Sequence, residues 1–290
     1  MKRRVITSVL IAAATLWLAG TDTALAWGAQ GHHVVARIAW ALMTPAARDR
    51  TSALLVVQGG QGMDAFVAAA TWADDVRQDR PATYNWHFVN IHVSETKYDA
   101  VQHCPPSERG DCVVAAIARL RAELVDANRS PELRAESLKF LIHFVGDMHQ
   151  PLHTIDNKDR GGNDVKVEPL RGEDGRATTL HGAWDTGLIN LSDETEAARA
   201  QRLIIDLASH PDSADLDVVK WAEANHDVAT QVVYRYPGFT AAGPPTTAVT
   251  LDTAYRDAAV KAIDRQLQLG GARLAALLNS LIGGPSGSPR

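Results

Sequence analysis

The chain has 290 residues, of which 46% are hydrophobic and 22% are charged. These proportions are typical of a globular protein and exclude a fibrous or largely disordered chain. The formal net charge is -5, with 29 Lys and Arg against 34 Asp and Glu, which argues against a protein that holds long duplex DNA through basic side chains. Eleven His and seven Trp, beside only two Cys, are the unusual part of the composition.

The first 26 residues form a separate compositional block. Three basic residues at 2–4 precede an almost wholly apolar stretch at 5–18, and Ala-Leu-Ala at 24–26 provides the small residues that a signal peptidase recognises. The apolar stretch is shorter than the ~20 residues that span a bilayer. We therefore expect residues 1–26 to be a bacterial secretory signal peptide. The mature protein would be periplasmic or secreted, without stable membrane insertion.

The mature chain has mostly helical patterns. Thr44-Pro45 and Ser130-Pro131 each combine a capping residue with proline at the first helical position, and Asp64 and Asp111 are further candidate caps. The spacing of apolar residues predicts nine helices, at about 32–43, 45–57, 64–76, 111–127, 130–150, 179–189, 194–208, 217–234 and 251–282.

The remaining segments are expected to be irregular or extended. Tyr84 to Val93 is rich in aromatic and β-branched residues, which predicts an extended segment. Residues 157–175 are expected to form a loop with one short hairpin, and the glycine pair at 270–271 is a candidate kink. We predict one all-α domain at 27–282, followed by a flexible tail at 283–290.

Cys104 and Cys112 are the two cysteines of an exported chain. Export implies an oxidising compartment, and the segment between them, PPSERGD, is rich in turn residues. These features favour a disulfide over two free thiols. A shared metal site is less favoured, because the pair lacks the C-x-x-C spacing.

Two His-x-x-x-Asp pairs carry the strongest chemical signal. His143 and Asp147 lie four residues apart on one predicted helix, and His181 and Asp185 repeat that spacing on another. Such a pair can offer two ligands to zinc, although a single pair is also a common surface hydrogen bond. Two pairs in an exported chain, with His153 just beyond the proline that ends the first helix, favour a metal site.

Further candidate ligands lie upstream of these pairs. Asp74 is within a predicted helix, and His87 is within the segment expected to be extended. His32 lies five residues after Trp27, which cleavage of the signal peptide would make the new N-terminus. A free α-amine can itself bind a metal ion once it has lost its proton.

Several segments resemble, in the same order, motifs of the zinc-dependent single-strand nucleases and 3'-nucleotidases of the S1/P1 type: WGAQGHHVVA, TWAD, WHF, FLIHFVGDMHQPLH, GGND and LHGAWD. The resemblance covers essentially all of residues 27–282, and HF-x-GD-x-x-QPLH is its most specific part. It implies an all-helical fold, distantly related to zinc phospholipase C, with three zinc ions in a cleft.

The resemblance also implies a ligand set for each zinc ion. These sets are Asp74, His87, His143 and Asp147 for the first; the α-amine and carbonyl of Trp27 with His32 for the second, which Asp147 bridges to the first; and His153, His181 and Asp185 for the third. Zinc accepts such mixed His and Asp ligands. Three zinc ions carry twice the charge of three ligand carboxylates, so the cleft would be cationic inside an acidic protein.

The resemblance assigns substrate contacts as well. Arg77 matches a basic position that steadies the phosphate, Phe88 matches an aromatic that stacks on the base, and Asn163 of GGND is expected to line the nucleotide pocket. Asn90 departs from the pattern, because the fungal enzymes carry Asp there, and this leaves base preference open. Asp147 is expected to be catalytic through its bridging position, together with Arg77.

These observations lead to one expected function and two alternatives. We expect a monomeric, exported phosphodiesterase that cleaves single-stranded DNA and RNA to 5'-phosphate products, with 3'-nucleotidase activity. A zinc phospholipase C acting on phospholipid headgroups is the first alternative; that family usually has Glu where Asp185 stands, which together with Phe88 favours the nuclease. The second is a periplasmic zinc-binding protein without turnover, which would not need Arg77 beside the candidate ligands. RNA or DNA preference and the pH optimum stay open.

Overall fold

A computed structural model describes residues 27–171, 177–207 and 215–284 of the chain. The expected signal peptide at 1–26, and the expected tail beyond residue 284, lie outside the described residues. The described part is helical apart from one small sheet, which confirms the all-α prediction. Its helices are α1 Ala29–Leu42, α2 Pro45–Val56, α3 Gly62–Ala68, α4 Trp72–Val76, α5 Ala100–His103, α6 Val113–Val125, α7 Pro131–Asp147, α8 Leu180–Gly182, α9 Glu196–Leu207, α10 Val218–Gln231 and α11 Thr253–Ile282.

The predicted helix starts at proline are confirmed. Thr44 Oγ1 accepts a hydrogen bond from the Ala47 amide at 3.2 Å, and Ser130 Oγ accepts one from the Leu133 amide at 3.4 Å. Each hydroxyl satisfies an amide that the first helical turn leaves without a backbone partner. Asp217 caps α10 in the same way, through the amide of Val219 at 3.0 Å.

Two of the expected aspartate caps are wrong. The single helix predicted at 64–76 is two helices, α3 and α4, and Gln61 rather than Asp64 precedes the first of them. Asp64 lies in the first turn of α3, where the negative charge of an acidic side chain interacts favourably with the helix dipole. Asp111 accepts a hydrogen bond from Arg119 Nη1 at 2.8 Å, and Cys112 takes the N-cap position of α6.

The segment predicted to be extended from Tyr84 is wrong in its first half. Pro81–His87 is a 3-10 helix, and the extended backbone starts only at Phe88. Pro81 supplies the backbone angle of a first helical turn, and Thr83 Oγ1 donates to the Arg80 carbonyl at 2.9 Å. Local turn chemistry therefore overrides the β-propensity of the aromatic side chains.

The helix predicted at 130–150 ends at Asp147, three residues early. A separate 3-10 turn, Pro151–His153, follows it, and Gln150 caps this turn through the amide of Leu152 at 2.6 Å. This break turns the chain sharply, so that His153 lies near the C-terminal end of α7. The glycine pair at 270–271 does not interrupt α11, which continues to Ile282.

The sheet has three short strands, β1 Lys166–Arg171, β2 Ala177–Thr179 and β3 Val249–Thr250, in the order β2-β1-β3. β1 and β2 are antiparallel, with Lys166 opposite Thr179. The hairpin is predicted within 157–175, so its second strand lies beyond the predicted range, and the connection at 172–176 lies outside the described residues. β3 pairs with β1 in parallel, and two residues are too few for a sequence pattern to reveal. The sheet leads directly into α8 and the following π-helical turn, Ala183–Gly187.

Close contact between α1 and α11 positions the start of the described chain. A Cβ atom at Gly271 would lie 2.5 Å from Ile38 Cβ and 3.0 Å from the Val35 carbonyl oxygen. Only glycine therefore permits this approach between the two helix backbones. Among the described residues, none of the helices combines the length and apolar character needed to cross a bilayer.

Gly271→Ala should lower the free energy of unfolding by about 1–3 kcal/mol, because the added methyl group overpacks the contact with Ile38. Gly270→Ala is the matched control, since its Cβ would meet its nearest atoms at 3.4 Å. That substitution should be neutral or stabilising by up to about 1 kcal/mol, because alanine favours a helix. Urea denaturation of both variants measures the difference, and equal effects would contradict the assigned packing.

Candidate metal centre

Three groups of His and Asp side chains meet around the C-terminal end of α7. Each group could hold a metal ion, because its ligand atoms lie within 4.8 Å of one another. The groups are His32, His143 and Asp147; Asp74, His87 and His143; and His153, His181 and Asp185. Eight of the nine ligand residues expected from the sequence are therefore together, and only Trp27 stands outside these groups.

Asp147 joins the first two groups through its two carboxylate oxygens. Oδ2 lies 2.9 Å from His87 Nδ1 and 3.1 Å from His143 Nε2. Oδ1 faces the other way and lies 3.3 Å from His32 Nε2. One carboxylate thus contacts both groups, which is the arrangement expected of a bridging ligand.

Asp74, His87, His143 and Asp147 approach the spacing of a tetrahedral zinc site. Their facing atoms are separated by 3.5 Å (Asp74 to His87), 3.6 Å (Asp74 to His143), 3.1 Å (His87 to His143) and 2.9 Å (His87 to Asp147). Ligand atoms about 2.0–2.2 Å from a tetrahedral centre lie about 3.3–3.6 Å apart. The donor set and its spacing fit zinc.

The third group lies on the far side of His87. His153 Nε2 is 3.2 Å from His181 Nε2, which is 3.4 Å from Asp185 Oδ2. His181 is on α8 and Asp185 is on the π-helical turn, so their predicted shared helix is wound more loosely than expected. The amide of Gln150 donates to the other oxygen of Asp185 and so fixes its orientation.

Backbone carbonyls hold three of the imidazoles by their Nδ1 atoms. His143 Nδ1 lies 2.6 Å from the Ala70 oxygen, His153 Nδ1 lies 2.7 Å from the His87 oxygen, and His181 Nδ1 lies 2.6 Å from the Gly161 oxygen. A carbonyl only accepts, so each Nδ1 carries a proton and the Nε2 atom of each ring is directed at the cluster. This is how proteins orient histidine for a metal.

Gly146 allows His32 to reach the cluster. A Cβ atom at Gly146 would lie 2.8 Å from His32 Nδ1 and 3.1 Å from Cε1. The His32 ring stacks on the His143 ring with centroids 4.1 Å apart. Glycine next to Asp147 therefore lets α1 bring its imidazole against the end of α7.

The electrostatics of the first two groups favour a bound cation. Burial opposes the ionisation of Asp147, but the charge of His143 and hydrogen bonds from His143, His32 and His87 hold the pKa of the carboxyl well below its usual range. Burial alone would lower the pKa of His143, yet Asp147 and Asp74 raise it to about 9. The carboxylates of Asp74 and Asp147 thus stabilise positive charge in the cluster, which a divalent metal would supply.

The other cluster imidazoles are in the form that binds metal. Burial lowers the pKa of His32, His87 and His181 to about 4 and that of His153 to about 3. Neutral imidazole at pH 7 is the metal-binding species. Among the described residues, buried Asp74 Oδ1 also has no hydrogen-bond partner, which is costly unless something else satisfies it.

Arg77 is next to the cluster, directly after α4. It is buried, and its Nη2 donates to the Tyr84 carbonyl at 3.2 Å. Its guanidinium carbon lies 3.9 Å from the centre of the Tyr84 ring. Arg77 contributes electrostatically to the pKa values of Asp74 and His87, so the predicted phosphate-binding side chain does lie beside the candidate metal ligands.

Phe88 and Asn90 line an open cleft of about 240 Å³. Asn85, the segment around the Cys104–Cys112 disulfide and Asp111 form the rest of its wall. The disulfide is present with 5.2 Å between the Cα atoms, which confirms that prediction. A half-buried phenylalanine in a polar cleft is suited to contact a planar base.

Asn163 belongs to a tightly organised loop before β1. Its amide donates to the Arg160 carbonyl at 2.8 Å, within the same loop. Asp159 accepts from the Gly162 amide at 3.0 Å and from the Tyr234 hydroxyl at 2.9 Å. These contacts fix the carbonyl of Gly161 that orients His181. The contact of Asn163 with substrate stays a prediction.

Trp27 is wholly buried, and the amide of the next residue, Gly28, donates to the Asp185 carbonyl at 3.0 Å. The start of the described chain is thereby held beside the third group. A Cβ at Gly31 would lie 2.9 Å from Trp27 Cβ, so the first turn of α1 closes over this side chain. The predicted coordination by the Trp27 amine and carbonyl stays a prediction.

Sequence reasoning missed the residues that orient the ligands. Gln150, Asp159, Tyr234 and the Ala70 carbonyl act on ligands through hydrogen bonds. Gly146 and Gln150 lie inside the HF-x-GD-x-x-QPLH segment, so their place in this motif could have indicated a role beside the ligands. Tyr234 is distant in sequence, and no local pattern could have linked it to the cluster.

Comparisons with known proteins agree with this geometry. A family model described as S1/P1 Nuclease matches residues 27–283. Endonuclease 2 of Arabidopsis thaliana is 27% identical over 288 residues, which cover 93% of this chain and 95% of that protein. Nuclease P1 of Penicillium citrinum is 28% identical over 284 residues, covering 89% and 98%. Nuclease S1 of Aspergillus oryzae is 32% identical over 181 residues, covering 61% and 59%.

The family match begins at Trp27 and includes all three His and Asp groups. Zinc dependence is typical of this family, and the donor set described above suits zinc. The chain therefore belongs to the S1/P1 nuclease family of zinc-dependent, phosphodiester-cleaving hydrolases.

Proposed function

We propose that this chain is an exported, monomeric nuclease that cleaves single-stranded DNA and RNA to 5'-phosphate products and also acts on 3'-nucleotides. The observation that carries the proposal is the clustering of three His and Asp groups around Asp147, with Arg77 three residues after Asp74 and Phe88 directly after His87. We further propose that residues 27–282 form one catalytic domain, in agreement with the extent of the family match.

Three zinc ions are the cofactors that we propose. One would be held by Asp74, His87, His143 and Asp147, a second by His32, Asp147 and the amine and carbonyl of Trp27, and a third by His153, His181 and Asp185. Zinc bound there supplies Lewis acidity toward a phosphate and toward the attacking water. The two oxygens of Asp147, which face different groups, give this residue the role of holding the groups at a constant separation.

Arg77 would bind the non-bridging oxygens of the scissile phosphate. Its guanidinium is held by the Tyr84 carbonyl and ring, so little ordering of the side chain is needed when substrate arrives. A planar guanidinium can donate two parallel hydrogen bonds to phosphate. Its positive charge would also compensate the charge that develops on the phosphate.

The cleft at Phe88 would hold one base. Stacking on Phe88 requires a base that is free of its own neighbours, which favours single strands over duplex. Asn90 is exposed at the same cleft and could meet the edge of the base with an amide, where the fungal enzymes have a carboxylate. Asn163 is the other proposed nucleotide contact.

Phospholipid is a weaker candidate substrate. Asp185 lies 3.4 Å from His181 and is tied to Gln150, so the third group is completed by the shorter carboxylate expected of a nuclease. Assays on single-stranded DNA, RNA, 3'-AMP and phosphatidylcholine, with the same zinc-loaded protein, separate the two activities. Turnover of phosphatidylcholine alone would overturn the proposed function.

Asp147→Asn should reduce the cleavage rate on single-stranded DNA at least about 10²–10³-fold, because the amide cannot supply a negative oxygen to both groups. Zinc content, measured by mass spectrometry of the metal, should fall in parallel. Asp75→Asn changes an exposed carboxylate next to Asp74 and should leave both properties unchanged. Normal rate and zinc content in Asp147→Asn would refute the bridging role.

Arg77→Ala should lower turnover with zinc content retained.

Phe88→Ala should raise the KM for single-stranded substrates about tenfold, since stacking on an aromatic contributes about 1–3 kcal/mol per base. Phe88→Tyr retains the ring and should stay close to the parent. The parent protein should cleave single strands faster than duplex of the same sequence. Equal rates on the two forms would show that no unstacked base is required.

The α-amine of Trp27 should be a zinc ligand only after the signal peptide is removed. An α-amine with a solution pKa of about 7.7–8.0 can lose its proton to a metal, whereas an amide nitrogen at the same position cannot coordinate in that way. We expect the protein that starts at Trp27 to bind one zinc ion more than a version with Gly-Ser before it, and to be far more active. Both should fold, as circular dichroism can verify. Equal zinc content would rule out the amine as a ligand.

A further inference from the structure

Two arginine side chains enclose the ring of Tyr84. The guanidinium carbon of Arg77 lies 3.9 Å from the ring centre, and that of Arg109 lies 3.6 Å from it. Both guanidinium groups therefore contact one ring, whose negative π-face is attracted to each positive charge.

The segment that carries Arg109 has a well-defined backbone. The Cys104–Cys112 disulfide closes it, and the Asn85 amide donates to the Arg109 carbonyl at 2.8 Å. Gly110 has a φ of +96°, and a Cβ there would lie 2.6 Å from the Ala82 carbonyl oxygen. The closed loop thus docks tightly on the 3-10 turn that ends at His87, and this docking sets the position of Arg109 over Tyr84.

Arg109 differs from Arg77 in its surroundings. Arg77 is buried beside the metal centre, whereas Arg109 is exposed. Among the described residues, the Arg109 guanidinium has no ion pair and no hydrogen bond in the structure, and its contact is the face of Tyr84. Its N–H groups are therefore free to bind an anion, and arginine binds phosphate with two parallel hydrogen bonds.

Tyr84 thus connects a buried arginine beside the His and Asp cluster with an exposed one. A polynucleotide with its scissile phosphate at Arg77 must leave the centre in some direction. Because both guanidinium carbons are close to the centre of one ring, they are at most about 7.5 Å apart, so the exposed arginine is within reach of a phosphate that flanks the scissile one.

We propose that Arg109 binds the phosphate next to the scissile one and so favours chains of nucleotides over substrates with a single phosphate. This inference rests on the proposed nuclease function and adds a second phosphate site to it. Tyr84 is the positioning residue of this site, because its ring contacts both guanidinium groups.

The test compares substrates that differ only in a flanking phosphate. TpT has the scissile phosphate alone. The same dinucleotide can carry a second phosphate at either end, capped with a methyl group so that it is not a terminal monoester. In the parent protein, one of the capped forms should have a kcat/KM about tenfold higher than that of TpT, as expected for a charge-assisted contact. Arg109→Ala should remove most of this preference, and Arg109→Lys should restore part of it.

Salt dependence provides a second readout, which a purely structural role of Arg109 would not change. On a thymidine oligonucleotide, the slope of log(kcat/KM) against log[salt] should become shallower by about 0.7 in Arg109→Ala, the value for one phosphate contact on a single strand. Lys261→Ala removes an exposed positive charge on α11 and should leave both the flanking-phosphate preference and the slope unchanged. Zinc content and melting temperature confirm that each variant is folded.

The outcomes distinguish the inference from the function on which it rests. If the zinc-loaded parent cleaves neither oligonucleotide nor dinucleotide, the proposed function fails and the second phosphate site fails with it. If the parent cleaves both, but Arg109→Ala retains the flanking-phosphate preference and the salt slope, the site at Arg109 is refuted and the nuclease function stands.

Discussion

The full burial of Asp147 is the constraint on which the rest of the structure depends. An ionised carboxylate inside a protein is costly unless positive or hydrogen-bonding groups surround it. Here those groups come from three separated parts of the chain: His32 on α1, His87 at the end of the 3-10 helix, and His143 one helical turn before Asp147 on α7. The helices must therefore converge on one residue, and a divalent cation between these groups relieves the cost of their burial.

That convergence requires close approach of backbones, and glycine provides it in two places. Gly146 leaves room for the His32 ring, and Gly271 lets α11 press against α1 at Ile38. The same helix α1 is thus held from both sides, by the cluster at one face and by α11 at another. The metal centre and the apolar core are consequently parts of a single packing arrangement, in which a distortion of one is transmitted to the other.

The sequence predicted most of the helices and the ligands because both leave local signals. Thr44-Pro45 and Ser130-Pro131 mark helix starts through cap chemistry that needs no tertiary contact, and the two His-x-x-x-Asp pairs are visible from spacing alone. Some failures occurred where a partner outside the local motif decides the outcome. Asp111 is bound to Arg119 instead of capping a helix.

The same reason explains what was missed around the site. Arg77 and Phe88 were found through their place in a motif, whereas Tyr84 and Arg109 come together only because a disulfide-closed loop folds back on the turn before His87. β3 is two residues long and pairs with β1 across more than 80 residues of sequence. Local patterns carry no information about such pairings.

His87 belongs to two groups at once. Its imidazole faces Asp74, His143 and Asp147, and its carbonyl oxygen holds the ring of His153 in the third group. Any rotation of the backbone at this residue moves a ligand of one ion and the tether of a ligand of another. If zinc occupies both positions as proposed, the two binding events are coupled through this residue, and a titration of the metal-free protein with zinc should be cooperative rather than a sum of independent binding events.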